Sequence, residues 1–119
     1  MPNSPQDLHK KVLGKRGEKL VAEYLKKQGA TILKTNYKTP YGEADLIAKQ
    51  GDEILFVEVK TRTSDKFGSP KEAVTPQKRN RYVAIAKYYG ARHGGEPNAR
   101  FDVAEVCVDG TIEYLDNAF

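Results

Sequence analysis

Two strand-like segments constrain this chain more than any other feature: Gly42-Glu43-Ala44-Asp45-Leu46-Ile47-Ala48 and Ile54-Leu55-Phe56-Val57-Glu58-Val59-Lys60. Between them stands Gln50-Gly51-Asp52-Glu53, whose Gly-Asp pair is a hairpin-turn signal. With Gly51 and Asp52 as loop residues, Gln50 opposes Glu53, Asp45 opposes Glu58 and Glu43 opposes Lys60. Strand residues two apart point the same way, so regular alternation puts Glu43, Asp45, Glu58 and Lys60 on one face. Opposed carboxylates about 5 Å apart repel each other, and a cation between them removes that cost. The pattern reads as a divalent-metal site with a lysine beside it. The competing reading is an exposed face with two scattered acids. Against it, Phe56, Val57 and Val59 make the second segment apolar on both faces, as in a doubly covered central strand. A charge in such a strand is costly unless it is paired or binds a metal.

Composition narrows the chemistry. A chain of 119 residues supports one hydrophobic core. No apolar run reaches membrane-spanning length, and none in the first thirty residues resembles a secretion signal. The lone Cys107 excludes an internal disulfide and a multi-cysteine zinc site and fits a reducing, cytoplasmic setting. With only His9 and His93 for imidazole, any metal must be held by oxygen, which favours Mg2+ or Mn2+. The net charge of +4 is strongly segregated. Residues 8–38 carry nine Lys or Arg against Glu18 and Glu23, and residues 60–92 carry nine against Asp65 and Glu72. Residues 39–59, by contrast, hold five acids and only Lys49. Basic segments flanking an acidic hairpin suit a protein that holds a polyanion over a metal site.

The order of elements follows from periodicity and punctuation. Residues 1–12 read as a flexible lead-in, and residues 13–119 as a single domain. Leu13, Leu20, Val21, Tyr24 and Leu25 recur at helical spacing from Leu13 to Gln28, with Gly29 as the stop. A strand over Ala30–Tyr37 and the turn Thr39-Pro40-Tyr41-Gly42 lead into the hairpin, and a polar loop spans Thr63–Ser69. Thr75-Pro76 opens a second helix as hydroxyl N-cap and first-turn proline, with Lys78, Tyr82, Ile85 and Tyr89 on its inner face and Gly90 as its end. Strands over Phe101–Val108 and Thr111–Leu115 join at Asp109-Gly110. The order α-β-β-β-α-β-β is that of an α/β domain around a mixed sheet.

The Asp…Glu-x-Lys pattern resembles the PD-(D/E)xK nuclease superfamily, whose core is the restriction-endonuclease-like fold. Gly17-Glu18, Gly42-Glu43-Ala44-Asp45-Leu46-Ile47, Phe56-Val57-Glu58-Val59-Lys60-Thr61-Arg62 and Arg100-Phe101-Asp102-Val103 together resemble the YraN-like family of small bacterial proteins, placed near Holliday-junction resolvases. Two departures stand out. Ala44 takes the place of the motif proline, and the Gln-x-x-x-Tyr element of some relatives is missing, since Arg81 follows Gln77 by four and Tyr82 comes one residue late.

The resemblance implies a Mg2+- or Mn2+-dependent endonuclease acting on DNA, including branched recombination or repair intermediates, with a homodimer as the working unit. Asp45 and Glu58 are the implied metal ligands. Lys60 is the implied catalytic lysine, positioning the attacking water and facing the charge that develops on phosphate; its competing role is an ion pair with Glu43. Glu18 reads equally as an auxiliary ligand or a surface acid. Glu43 stays open between ligand, partner of Lys60 and surface acid. Arg62 and Lys78 are the expected nucleic-acid contacts, Lys78 from a helix first turn whose N–H groups also attract phosphate. The alternative is a non-catalytic nucleic-acid-binding or adaptor domain that keeps the nuclease fold.

Overall fold

The computed structural model describes residues 5–62 and 75–119, with residues 5–13 described as helix backbone only. Helix α1 (Pro5–Lys27) precedes strands β1 (Thr31–Thr39), β2 (Gly42–Gln50) and β3 (Glu53–Thr61). Helix α2 (Pro76–Arg92) and strands β4 (Ala99–Val106) and β5 (Ile112–Leu115) complete the order read from sequence. The sheet runs β1-β2-β3-β4-β5. Its neighbours are antiparallel except β3 and β4, which are parallel and joined through α2. The expected loop over Thr63–Ser69 and the first residues of the lead-in lie outside the described residues.

Each face of the sheet carries one helix. On one, Val21 and Leu25 of α1 pack with Leu46, Ala48, Leu55, Val57, Ala104 and Val106. On the other, Tyr82, Ile85, Ala86 and Tyr89 of α2 pack with Ile47, Phe56 and Ala44. Burial on both faces is what the apolar run of β3 requires.

Several boundaries differ from those read in the sequence. Helix α1 begins at Pro5, so residues 5–12 are helical rather than a flexible lead-in. Helix α2 passes through Gly90 to Arg92. Gly90 is needed there for close approach: a Cβ would meet the Gly95 carbonyl oxygen at 2.6 Å and Pro97 Cδ at 2.9 Å. Strand β4 begins at Ala99 and ends at Val106, two residues earlier than expected at each end.

Close approach also governs how α1 meets the sheet. A Cβ on Gly17 would lie 2.7 Å from Thr61 Oγ1 and 3.6 Å from Val59 Cγ1, whereas one on Gly14 would meet nothing within 4 Å. These two glycines of one helix should therefore respond oppositely to alanine. Gly14→Ala should raise stability by about 0.5–1 kcal/mol through helix propensity alone. Gly17→Ala should lower it by about 1–3 kcal/mol, because overpacking outweighs propensity. Urea unfolding of both variants checks the pair; equal signs would mean that α1 does not seat on β3 through Gly17.

Candidate functional site

The hairpin register agrees with the Gly51-Asp52 turn from Gln50↔Glu53 up to Leu46↔Val57. There the ladder stops, one pair short of Asp45 and Glu58. Neither the expected Asp45–Glu58 pair nor Glu43–Lys60 belongs to it. In place of a backbone carbonyl, Asp45 Oδ2 accepts the Val59 N–H at 2.8 Å. Side-chain alternation slips at the same point. Leu46 and Ala48 face α1, yet Ala44, two residues before Leu46, packs with the α2 cluster. On β1, Thr35 pairs with Leu46 and Tyr37 with Ala44, so Asn36 lies opposite Asp45, and Asn36 takes a positive φ of 50°. Asparagine tolerates that left-handed conformation better than most residues. Both strands are thus irregular at one level, and β2 parts from β3 where the candidate acids stand.

Elements from both layers converge on this gap. Burial above all, with the charges of Glu18, Glu58 and Glu43 added and the Val59 N–H opposing, raises the Asp45 carboxyl to about 6 from its ordinary 3.8. Glu18 comes from α1, which Gly17 seats against Val59 and Thr61. From α2, the Lys78 ammonium pairs with Glu58 Oε2 at 2.9 Å. Its own backbone N–H donates to Oγ1 of the N-cap Thr75, so cap and ion pair fix the first turn together. One turn on, the Tyr82 hydroxyl lies against the Asp45 backbone N–H, and burial, Asp45 and Glu58 all raise its pKa.

The expected residues therefore fall into groups. Asp45 feels the charges of Glu18, Glu58 and Glu43, the last exposed on the β2 end. Among the described residues, however, no three His, Cys, Asp or Glu side chains are drawn into a ready metal cage. Lys60 is half-buried on β3, two residues past Glu58, in register with Glu105 of β4. Lys78 faces the acids. Arg62 bonds Glu105 Oε1 through Nε at 2.6 Å, and Glu105 is fully buried. An arginine held by a buried carboxylate serves the fold first.

Tyr82 is the residue that the sequence reading missed. Counting from Gln77 puts it out of phase, whereas counting from Lys78 gives a spacing of four, which places both side chains on one helix face. Glu105, set in the apolar run Val103-Ala104-Glu105-Val106, carried its own signal: a buried acid demands a partner. Arg100 and Asp102 have a different task. Fully buried Asp102 accepts from the Arg100 guanidinium, the Tyr114 hydroxyl and the Asn117 N–H, tying β4 to β5 and the residues after it.

A family model described as "Uncharacterised protein family UPF0102" matches residues 17–106. The chain belongs to this family. A UPF0102 protein of Alkaliphilus metalliredigens is 47% identical over 112 residues, covering 92% of this chain and 98% of its own. Another, from Thermodesulfovibrio yellowstonii, is 46% identical over 107 residues, covering 90% of this chain and 95% of its own. Among solved structures, Hjc of Archaeoglobus fulgidus, a Holliday junction resolvase, superimposes with a TM-score of 0.57 at 19% identity, covering 85% of this chain and 73% of that one. This UPF0102 chain thus has a resolvase-like fold. No helix among the described residues is long and apolar enough to cross a membrane.

The raised Asp45 pKa has a signed consequence for the metal-free protein. Between pH 4 and 6 the folded state holds a proton that the unfolded chain releases, so stability falls as pH rises through that window. The loss should be on the order of 2 kcal/mol after screening. Asp45→Asn should match wild type near pH 4 and exceed it at pH 7. Melts in chelator across this range check it; parallel pH profiles for the two proteins would mean that Asp45 carries no strain.

Proposed function

We propose that this chain is a divalent-metal-dependent nuclease that hydrolyses phosphodiester bonds in DNA. The carrying observation is Asp45: a carboxylate tied by one oxygen to a backbone N–H, largely buried and under the charges of Glu18, Glu58 and Glu43, at the gap between β2 and β3. Such a group is poised to be relieved by a cation. The donor set fits Mg2+ or Mn2+, which take oxygen ligands and are commonly bound by one or two carboxylates completed by water and substrate phosphate. Asp45 Oδ1 and Glu58 Oε1 are the proposed ligand atoms, with Glu18 and Glu43 acting at longer range. When bound, the ion supplies charge neutralisation at phosphate and a more acidic water.

The chain's own residues do the rest. Lys60 holds the attacking water and faces the charge growing on the phosphate oxygens. Lys78 holds the Glu58 carboxylate in place, and the first turn of α2 adds N–H groups toward phosphate. Tyr82 closes the inner wall beside Asp45. Water adds to phosphorus and a P–O ester bond breaks, with no protein nucleophile. Coordinated cutting of two strands would use two copies of the chain related by symmetry.

A second reading, a binding or adaptor domain, draws support from the Lys78–Glu58 ion pair, which satisfies one acid without metal. End-labelled branched, duplex and single-stranded DNA, incubated with Mg2+, Mn2+ or chelator, separates the two. Cleavage should require metal and vanish in Asp45→Asn and Glu58→Gln. Lys60→Ala should keep metal affinity in calorimetry while slowing cleavage about 10²-fold or more. Binding without cleavage under every metal condition would favour the adaptor.

A further inference from the structure

Beside the acidic gap, the outer edge of α2 and the β1–β2 turn build a surface that the proposed hydrolysis does not use. Tyr41, at the tip of the turn, is 58% exposed, the large hydrophobic side chain most open to solvent among the described residues. The turn that carries it is held at the backbone: Thr39 Oγ1 accepts the Tyr41 N–H at 3.0 Å and donates to the Gly42 carbonyl at 2.8 Å. The Tyr41 ring meets Tyr88 edge-on at 6.3 Å, Tyr88 meets Tyr37 at 6.3 Å, and the Arg92 guanidinium lies 4.6 Å over the Tyr88 ring. Two shallow hollows flank Tyr88. One is lined by Tyr37, Lys38, Tyr88, Arg92 and His93; the other is lined by Tyr41, Ala84, Lys87, Tyr88 and Ala91. Neither lining includes a carboxylate, and Lys38, Lys87 and Arg92 supply positive charge.

The surface is continuous with the site. Arg81 lies across Gly42, whose Cβ would meet Arg81 Cδ at 2.6 Å, three residues before Asp45. Tyr37 pairs with Ala44, the residue before Asp45. From Arg81 to Arg92 the helix advances about 16 Å, room for several nucleotides of extended strand.

We infer that this ledge receives unpaired nucleotides next to the scissile phosphate, with Tyr41 and Tyr88 stacking on bases and Lys38, Lys87 and Arg92 tracking the backbone. Aromatic faces interleaved with cations are the chemistry of single-strand binding, because every base offers a π-face and every linkage a charge. Duplex DNA buries its base faces and gains little from such a ledge. The inference rests on the nuclease reading for its partner and deepens it: the substrate has a single-stranded segment beside the cut.

The test is binding in chelator, where cleavage cannot intervene. Labelled oligo-dT is compared with an abasic strand of equal length and charge. Wild type should prefer oligo-dT by about tenfold, and Tyr41→Ala should remove that preference while leaving abasic binding unchanged. Tyr41→Phe, which keeps the ring, should retain it. Because the chain has no Trp, Tyr41→Trp installs a lone reporter whose fluorescence should be quenched by oligo-dT and not by the abasic strand. Equal wild-type affinity for both strands, without quenching, overturns the ledge even where metal-dependent cleavage is intact. A preference lost in Tyr41→Ala, in a protein that never cleaves, upholds the ledge and removes the nuclease. Failure to bind any nucleic acid overturns both.

Discussion

The Asp45 carboxylate takes the place of a backbone carbonyl against the Val59 N–H, and the geometry of the site depends on that substitution. A buried N–H must be satisfied, and in a regular ladder the neighbouring strand would do it. Here a side chain does, so β2 can leave β3 without orphaning the donor. The parting of the strands then exposes Glu58 and Asp45 to elements from both layers. Without it, the acids would sit on a closed sheet surface with no room for a third group.

Electrostatics and packing act together at that opening. Burial first, then like charges from Glu18, Glu58 and Glu43, raise the Asp45 pKa, while Lys78 pairs with Glu58. Neither arrangement would hold if the helices stood farther off. Gly17 brings α1 close to β3, and the Thr75 cap sets the first turn of α2 over Glu58. The buried pairs Arg62–Glu105 and Arg100–Asp102 brace β4 on opposite faces of the sheet. Removing one member would leave a charge buried without its partner, so these pairs specify the arrangement more than they add stability.

Much of this was legible in the chain. The Gly51-Asp52 turn gave the hairpin register, the doubly apolar β3 gave a central strand, and Thr75-Pro76 gave the start of α2. These features are local or have a simple period, so they can be read without knowing any particular tertiary contact. Asp45, Glu58 and Lys60 stood out because charge in an apolar strand demands a reason.

Tertiary structure decided what local rules cannot reach. Regular alternation cannot foresee the slip at Asp45, because it depends on Asn36 in a neighbouring strand and on a carboxylate competing for a main-chain donor. Arg62 and Lys78 read alike as phosphate contacts, yet one meets Glu105 from β4 and the other Glu58 from β3, a distinction set by which elements the fold brings together. Gly90 read as a helix stop because its φ freedom is a local property, whereas its use is the close approach of a later loop. Tyr82 was placed in the core by its period; only packing of α2 across β2 brings its hydroxyl to Asp45. The sequence by itself determined the elements, their order and the acids that need a partner. Tertiary packing chose the partners, because pairing between distant elements depends on three-dimensional distance, which no local pattern carries.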